Sequence, residues 1–104
     1  MSKMEKIDDA QIIFNQNGVI GKHQSKKDQL EYVYQSFEPG EATQSHIQDI
    51  LISFFVIAGE GTVIVDEKQH QLKKRESIEI PAGCSRLCKN IGSEKLELVV
   101  VKLL

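Results

Sequence analysis

The sequence predicts an all-β fold of the sandwich or barrel type, and three observations carry that expectation. Apolar residues gather in short runs rich in β-branched and aromatic side chains, as at Tyr32-Val33-Tyr34 and Thr62-Val63-Ile64-Val65. Turn signals built on Gly, Pro and Asn interrupt these runs about every ten residues, the spacing of a many-stranded β domain. No stretch carries apolar residues at a convincing helical period.

Taken in order, residues 1–9 alternate charges without an apolar stripe and are expected to be a flexible N-terminal segment, frayed or at most a short helical turn. Residues 10–104 form the single domain. Residues 10–14 and Val19-Ile20 flank Asn17-Gly18, a strong hairpin signal, and so predict a small hairpin. The polar residues 21–28 read as a loop. Residues 30–37 read as a strand that Pro39-Gly40 stops, and residues 44–48 as a short extended piece. The apolar run 50–58 fits a buried helix or a strand by length, but its β-favouring composition and the abrupt Gly59-Glu60-Gly61 favour a strand. Residues 62–65 and 69–73 flank the polar tip Asp66-Glu67-Lys68 as a second hairpin. Residues 77–80 alternate polar and apolar until Pro81-Ala82-Gly83, residues 84–90 follow as another strand, and 96–104 closes the domain.

A chain of 104 residues with 40% hydrophobic and 27% charged residues and a formal charge of -2 has the balance of a folded globule with one core. That balance, with no basic stripe, argues against nucleic acid as a partner. The cluster Lys22, Lys26, Lys27 is offset by Asp28 and Glu31 and reads as solvated surface. The N-terminal residues lack the apolar core of an export signal or membrane span, so the expected setting is cytoplasmic, with no membrane partner. Cys84 and Cys88, four apart on one strand, would stand roughly 13 Å apart, beyond disulfide reach, and are expected to be free thiols. The last strand and the run 51–57 are apolar on both faces, whereas a small β domain normally solvates one face. The second face predicts a homodimer interface.

The rest of the chain is organised around residues 38–90. Gly40 is followed by five residues and His46, and Gly59 closes that half. Pro81, Gly83 and Asn90 stand in register in the second half. In these residues the sequence resembles the small single-domain cupins over roughly Tyr32 to Val101. The resemblance implies a double-stranded β-helix, the jelly-roll cupin β-barrel. In that family the first motif carries two histidines and a glutamate, and the second a histidine, which together bind a metal. The corresponding positions here hold His46, Gln48, Ile52 and Arg86, and the second motif's opening glycine is replaced by Arg75 at what should be an exposed turn.

Only His46 survives of that ligand set. Ile52 offers no donor, Gln48 only a neutral oxygen, and a fixed guanidinium repels a cation, so no metal and no cofactor are expected. Strand alternation puts Cys88 on the side of Arg86, which leaves a non-standard site of His46, Gln48 and Cys88 conceivable beside the plainer reading of Cys88 as a small buried residue. Arg86 is a planar fork of donors suited to a carboxylate or phosphate. It binds an anionic ligand, or pairs structurally with an acid such as Glu97 or Glu79, or extends to the rim. The ligand-binding set is therefore Arg86, Gln48, His46, Cys88 and Phe54.

His46 titrates near neutral pH and is a candidate general base, with Tyr34 or Tyr32 as proton donor. It is equally readable as a polar remnant bonded to Gln48. The resemblance supports the first reading through metal-free cupins, among them sugar-nucleotide epimerases and ketoisomerases. Those usually carry a second histidine or an aspartate as a partner, and no such partner for His46 is found in this sequence. His23 and His70 read as exposed, and Cys84 would be a reactive thiol if Arg86 lowered its pKa. The leading expectation is a protein that binds a small, anionic organic metabolite in its barrel. The alternatives are a metal-independent sugar or keto-acid isomerase or epimerase, and a structural or protein-interaction module whose barrel is filled.

Overall fold

The computed structural model describes residue 4, residues 6–16 and residues 18–104. Residues 1–3 and Glu5 of the N-terminal segment, and Asn17 of the Asn-Gly turn, lie outside the described residues. A single 3-10 turn, Ile7–Asp9, precedes ten strands, and no α-helix occurs among the described residues. The strands are β1 (Gln11–Gln16), β2 (Val19–Lys27), β3 (Leu30–Phe37), β4 (His46–Ile47) and β5 (Leu51–Ala58). They continue as β6 (Glu60–Val65), β7 (Lys68–Lys73), β8 (Ser77–Ile80), β9 (Ser85–Lys89) and β10 (Leu96–Leu103). The all-β expectation holds, with two antiparallel sheets in a jelly roll: β1-β2-β3-β10-β5-β8 and β4-β9-β6-β7.

Most of the expected strands stand within a residue or two of their sequence bounds. The exception is 21–28, read as a loop. It belongs to β2, which is laddered to β1 on one side and β3 on the other, with Gly21 opposite Gln35 and Lys22 opposite Tyr34. A strand held on both sides by main-chain hydrogen bonds tolerates the polar run GKHQSKK, because the ladder does not consult side chains.

Between the sheets, Val33, Phe37, Ile52, Phe54, Val56, Leu98 and Val100 of the larger sheet meet Val63, Leu72 and Cys88 of the smaller one. Each of these larger side chains contributes roughly 1.5–3 kcal/mol through burial. The register β3-β10-β5 fixes which residues look inward. Leu98 and Val100 alternate with Val99 and Val101, and Val99 lies between Tyr34 and Phe55 on the outer face.

The residues that carry the family resemblance are structural. Gly59 has φ +75, and a Cβ there would sit 2.4 Å from the Lys95 carbonyl oxygen, so no larger residue fits. Asn90 is fully buried and satisfied: its amide donates to the carbonyls of Phe37 and Glu94 at 3.0 and 2.8 Å and accepts from the Gly92 N–H at 3.0 Å. It ties the end of β3 to the turn between β9 and β10. Arg75 is exposed and holds φ +73, so the glycine geometry persists without the glycine. Its N–H donates to the Val56 carbonyl at 2.8 Å, which keeps the turn closed.

Candidate functional site

A cavity of about 310 Å³ opens between the sheets toward one end of the barrel. Both sheets supply its walls. Val33 and Gln35 come from β3, Phe54 from β5 and Lys102 from β10, while Arg86 comes from β9 and His46 and Gln48 from β4 and its exit. Ile13 and Phe14 of β1 reach its edge. Within the smaller sheet His46 and Arg86 are cross-strand partners, so the one surviving family ligand meets the cation that replaces another.

Arg86 is the electrostatic centre. Burial disfavours its charged form and pulls its pKa below the ordinary arginine value, yet a guanidinium stays protonated in a protein. Its Cζ stands 5.9 Å from the centroid of the Phe54 ring, within reach of a cation–π attraction. One of its terminal nitrogens, Nη1, is buried without a hydrogen-bond partner. The ion pairs among the described residues lie elsewhere: Glu31 takes His23 at 3.6 Å and Lys102 at 3.8 Å. The structural pairing considered for Arg86 is therefore not formed. Glu79 is exposed, and Glu97 accepts the hydroxyl of Tyr34.

Two further polar atoms on the cavity walls lack partners. The side-chain oxygens of Gln35 and Gln48 are buried and receive no hydrogen bond, so His46 and Gln48 are not bonded to each other through that oxygen. Gln48 is held in place by its main chain, whose carbonyl accepts the Gly83 N–H at 2.8 Å. His46 is exposed at the mouth.

Other candidate residues stand apart. Tyr34 and Tyr32 point to the face of β3 opposite Val33 and Gln35, and neither lines the cavity. Tyr34 is buried there, and burial together with the Glu97 carboxylate pushes its pKa well above the usual tyrosine value. Cys88 is packed into the core, and burial pushes its thiol up to about 12. Cys84 donates to Asp66, which raises its pKa, the opposite of the activation considered for it. His23 lies on β2 against Glu31 rather than in a loop, and is half-buried. Gln35, Lys102 and Phe14 line the cavity and were not picked out from the sequence, although the period of two from Val33 to Phe37 places Gln35 inward.

The metal that the fold family implies does not fit this donor set. Among the described residues no three His, Cys, Asp or Glu side chains converge. The four motif positions present one imidazole, one amide, one aliphatic chain and one cation. What the arrangement can do is attract an anion to the Arg86 guanidinium, with the side chains of Gln35 and Gln48 in the same lining.

The family model for the Cupin domain matches residues 33–102 of the chain. No curated protein matches it. Among solved structures it is similar to a predicted oxalate decarboxylase from Thermotoga maritima, with a TM-score of 0.86 at 19% identity over 98% of this chain and 99% of that one. It is also similar to an RmlC-like cupin from Shewanella frigidimarina, with a TM-score of 0.85 at 16% identity over 99% and 91%. KdgF from a Halomonas species gives a TM-score of 0.86 at 12% identity over 100% and 96%. At these identities the likeness concerns the fold.

Proposed function

The chain belongs to the cupin family, and from that premise we propose that it binds a small organic anion in the barrel cavity, with Arg86 as the anion's partner and without the family's usual metal. The observation that carries this reading is Arg86 itself, which lines an open cavity and whose Nη1 is buried without a hydrogen-bond partner. A buried cation without a counter-charge is costly, and a carboxylate supplies both the charge and a matching pair of acceptors. Gln48, His46 and Phe54 share the lining, and Lys102 adds a second positive charge that Glu31 offsets. Thermal-shift measurements with small carboxylates and inorganic phosphate test it. Wild-type protein should be stabilised by at least one of them and Arg86→Met by none; stabilisation that survives in the variant would refute the role of Arg86.

The isomerase or epimerase reading has one observation in its favour, the pairing of His46 with Arg86 across β4 and β9 at the cavity. In that reading His46 moves a proton while Arg86 holds the anionic group; the tyrosines stand too far round β3 to assist. Incorporation of solvent deuterium into a bound keto acid or sugar acid, lost in His46→Ala, is the required signature. A filled, purely structural barrel is disfavoured by the cavity itself.

The protein is further proposed to be a homodimer. Leu30, Tyr32, Leu51, Phe55 and Leu103 are exposed on β3, β5 and β10, and the registers bring Leu103 beside Leu30 and Leu51. No helix among the described residues is long and apolar enough to cross a membrane. Cys84 and Cys88 are both unpaired, which suits the reducing cytoplasm.

A further inference from the structure

We infer that the anion held by this cavity is a hydroxy carboxylate, with its carboxylate on Arg86 and one or more hydroxyl groups on Gln35 and Gln48. The inference rests on the anion-binding reading above and adds the chemical class of the ligand.

The three buried, unpartnered polar atoms that belong to cavity-lining residues are not of one kind. Arg86 Nη1 is a donor that requires an acceptor, whereas Gln35 Oε1 and Gln48 Oε1 are acceptors that require donors. Their side chains line the cavity from two sides, Gln35 from β3 of the larger sheet and Gln48 from the exit of β4 in the smaller one. A simple carboxylate answers only the first atom. Its oxygens, placed against the glutamine oxygens, would oppose acceptor to acceptor and leave both amides unsatisfied. Hydroxyl groups beside a carboxylate answer all three. Soft terminal torsions let the amides and the guanidinium turn toward an occupant without leaving their wells.

Hydroxyl suits the site better than ammonium for two reasons. It donates and accepts, so it satisfies a side-chain amide in either orientation. An ammonium group would add a third cation to a site that already holds Arg86 and Lys102 against the single carboxylate of Glu31. The volume, about 310 Å³, lies at the small end of ligand pockets and suits a compact acid. Phe54, Val33 and Phe14 give the carbon skeleton an apolar wall.

The test uses matched probes that differ only in hydroxyl groups: malate against succinate, and gluconate against hexanoate, with glucose as an uncharged hydroxylated control. Titration calorimetry on the full chain should show the hydroxylated acid of at least one pair binding roughly tenfold or more tighter than its partner, and glucose not binding. In a Gln35→Met, Gln48→Met double variant that melts as cooperatively as wild type, the hydroxylated acid should fall to the affinity of its partner. In Arg86→Met all binding should vanish. Equal affinities within both pairs, with both lost in Arg86→Met, would overturn this inference while leaving the anion site standing. Binding of none of these acids, or binding indifferent to Arg86→Met, would overturn both. The wild-type comparison alone decides the hydroxyl question if a variant fails to fold.

Discussion

Tyr34 donates its hydroxyl to the Glu97 carboxylate on the face of the larger sheet that looks away from the cavity. The pair links β3 to β10, and on the neighbouring β2 Lys22 donates to the Ile7 carbonyl of the 3-10 turn at 3.1 Å. Tyr34→Phe leaves Glu97 without this donor and should destabilise the fold by about 1–3 kcal/mol in urea unfolding. Carboxylate binding, measured on the same protein, should be unchanged. A loss of binding at undiminished stability would return Tyr34 to the site.

Arg86→Met should raise the stability of the ligand-free protein. The substitution removes a partly buried guanidinium that no described carboxylate neutralises and puts a flexible apolar chain against Phe54. An increase of about 1 kcal/mol or more is expected by urea denaturation. A clear decrease would mean that Arg86 contributes more through its packing on Phe54 than its desolvation costs.

Arg75 holds a left-handed backbone where the family motif has glycine. A non-glycine residue at φ +73 is strained by about 1–2 kcal/mol, and glycine relieves this while making the unfolded chain more flexible. Arg75→Gly should therefore stabilise by a net amount of up to about 1 kcal/mol, read as a higher urea midpoint with an unchanged slope. Arg75→Val should destabilise.

Alkaline pH should weaken the fold in a way that is traceable to Cys88. Its thiol titrates at about 12 in the folded protein, against an ordinary value of 9.0. The unfolded chain therefore releases this proton first as pH rises. The stability contribution is whole below about pH 9 and is lost between about pH 9 and 12, at up to about 1.4 kcal/mol per pH unit. Tyr34, also raised, adds to the loss above about pH 10. Urea unfolding under reducing conditions should show a shallower decline across this window in Cys88→Ala than in wild type. Parallel declines would exclude the thiol as the cause.

The proposed dimer has a direct check. Phe55→Glu sets a charge among the exposed residues of the outer face without entering the core. Light scattering after size-exclusion chromatography should give twice the chain mass for wild type and a monomer for the variant. A monomeric wild type removes the proposal.

Much of this molecule was legible because its turns are written in backbone chemistry. Gly40, Gly59, Pro81 and Gly83 mark their corners without reference to anything distant, and Asn90 follows at a fixed interval. Motif spacing put His46 and Arg86 at two of the four family positions, and their pairing across β4 and β9 came only with the register. The length of β2 was not legible, because its ladder is satisfied by neighbours that its own polar side chains do not announce. Tyr34 and Tyr32 were drawn toward His46 by chemistry alone, whereas the alternation on β3 that puts Gln35 inward puts both tyrosines outward. Lys102 was hidden differently: it continues the inward series of Leu98 and Val100, where a charged residue reads as the end of the buried strand rather than as part of a wall.

The cavity is spanned rather than looped. Gln35, Lys102, His46 and Arg86 rise from strands of two facing sheets, Thr43, Gln44 and Gln48 come from the segments flanking β4, and the gap between the sheets is set by the core of Val63, Leu72 and Cys88 with Phe37, Val56 and Leu98. The barrel interior thus acts as the jaw setting of a calliper. Widening what this protein accepts is a matter of respacing its sheets through those deeper side chains, and a tolerant surface loop would leave its preference for small occupants untouched.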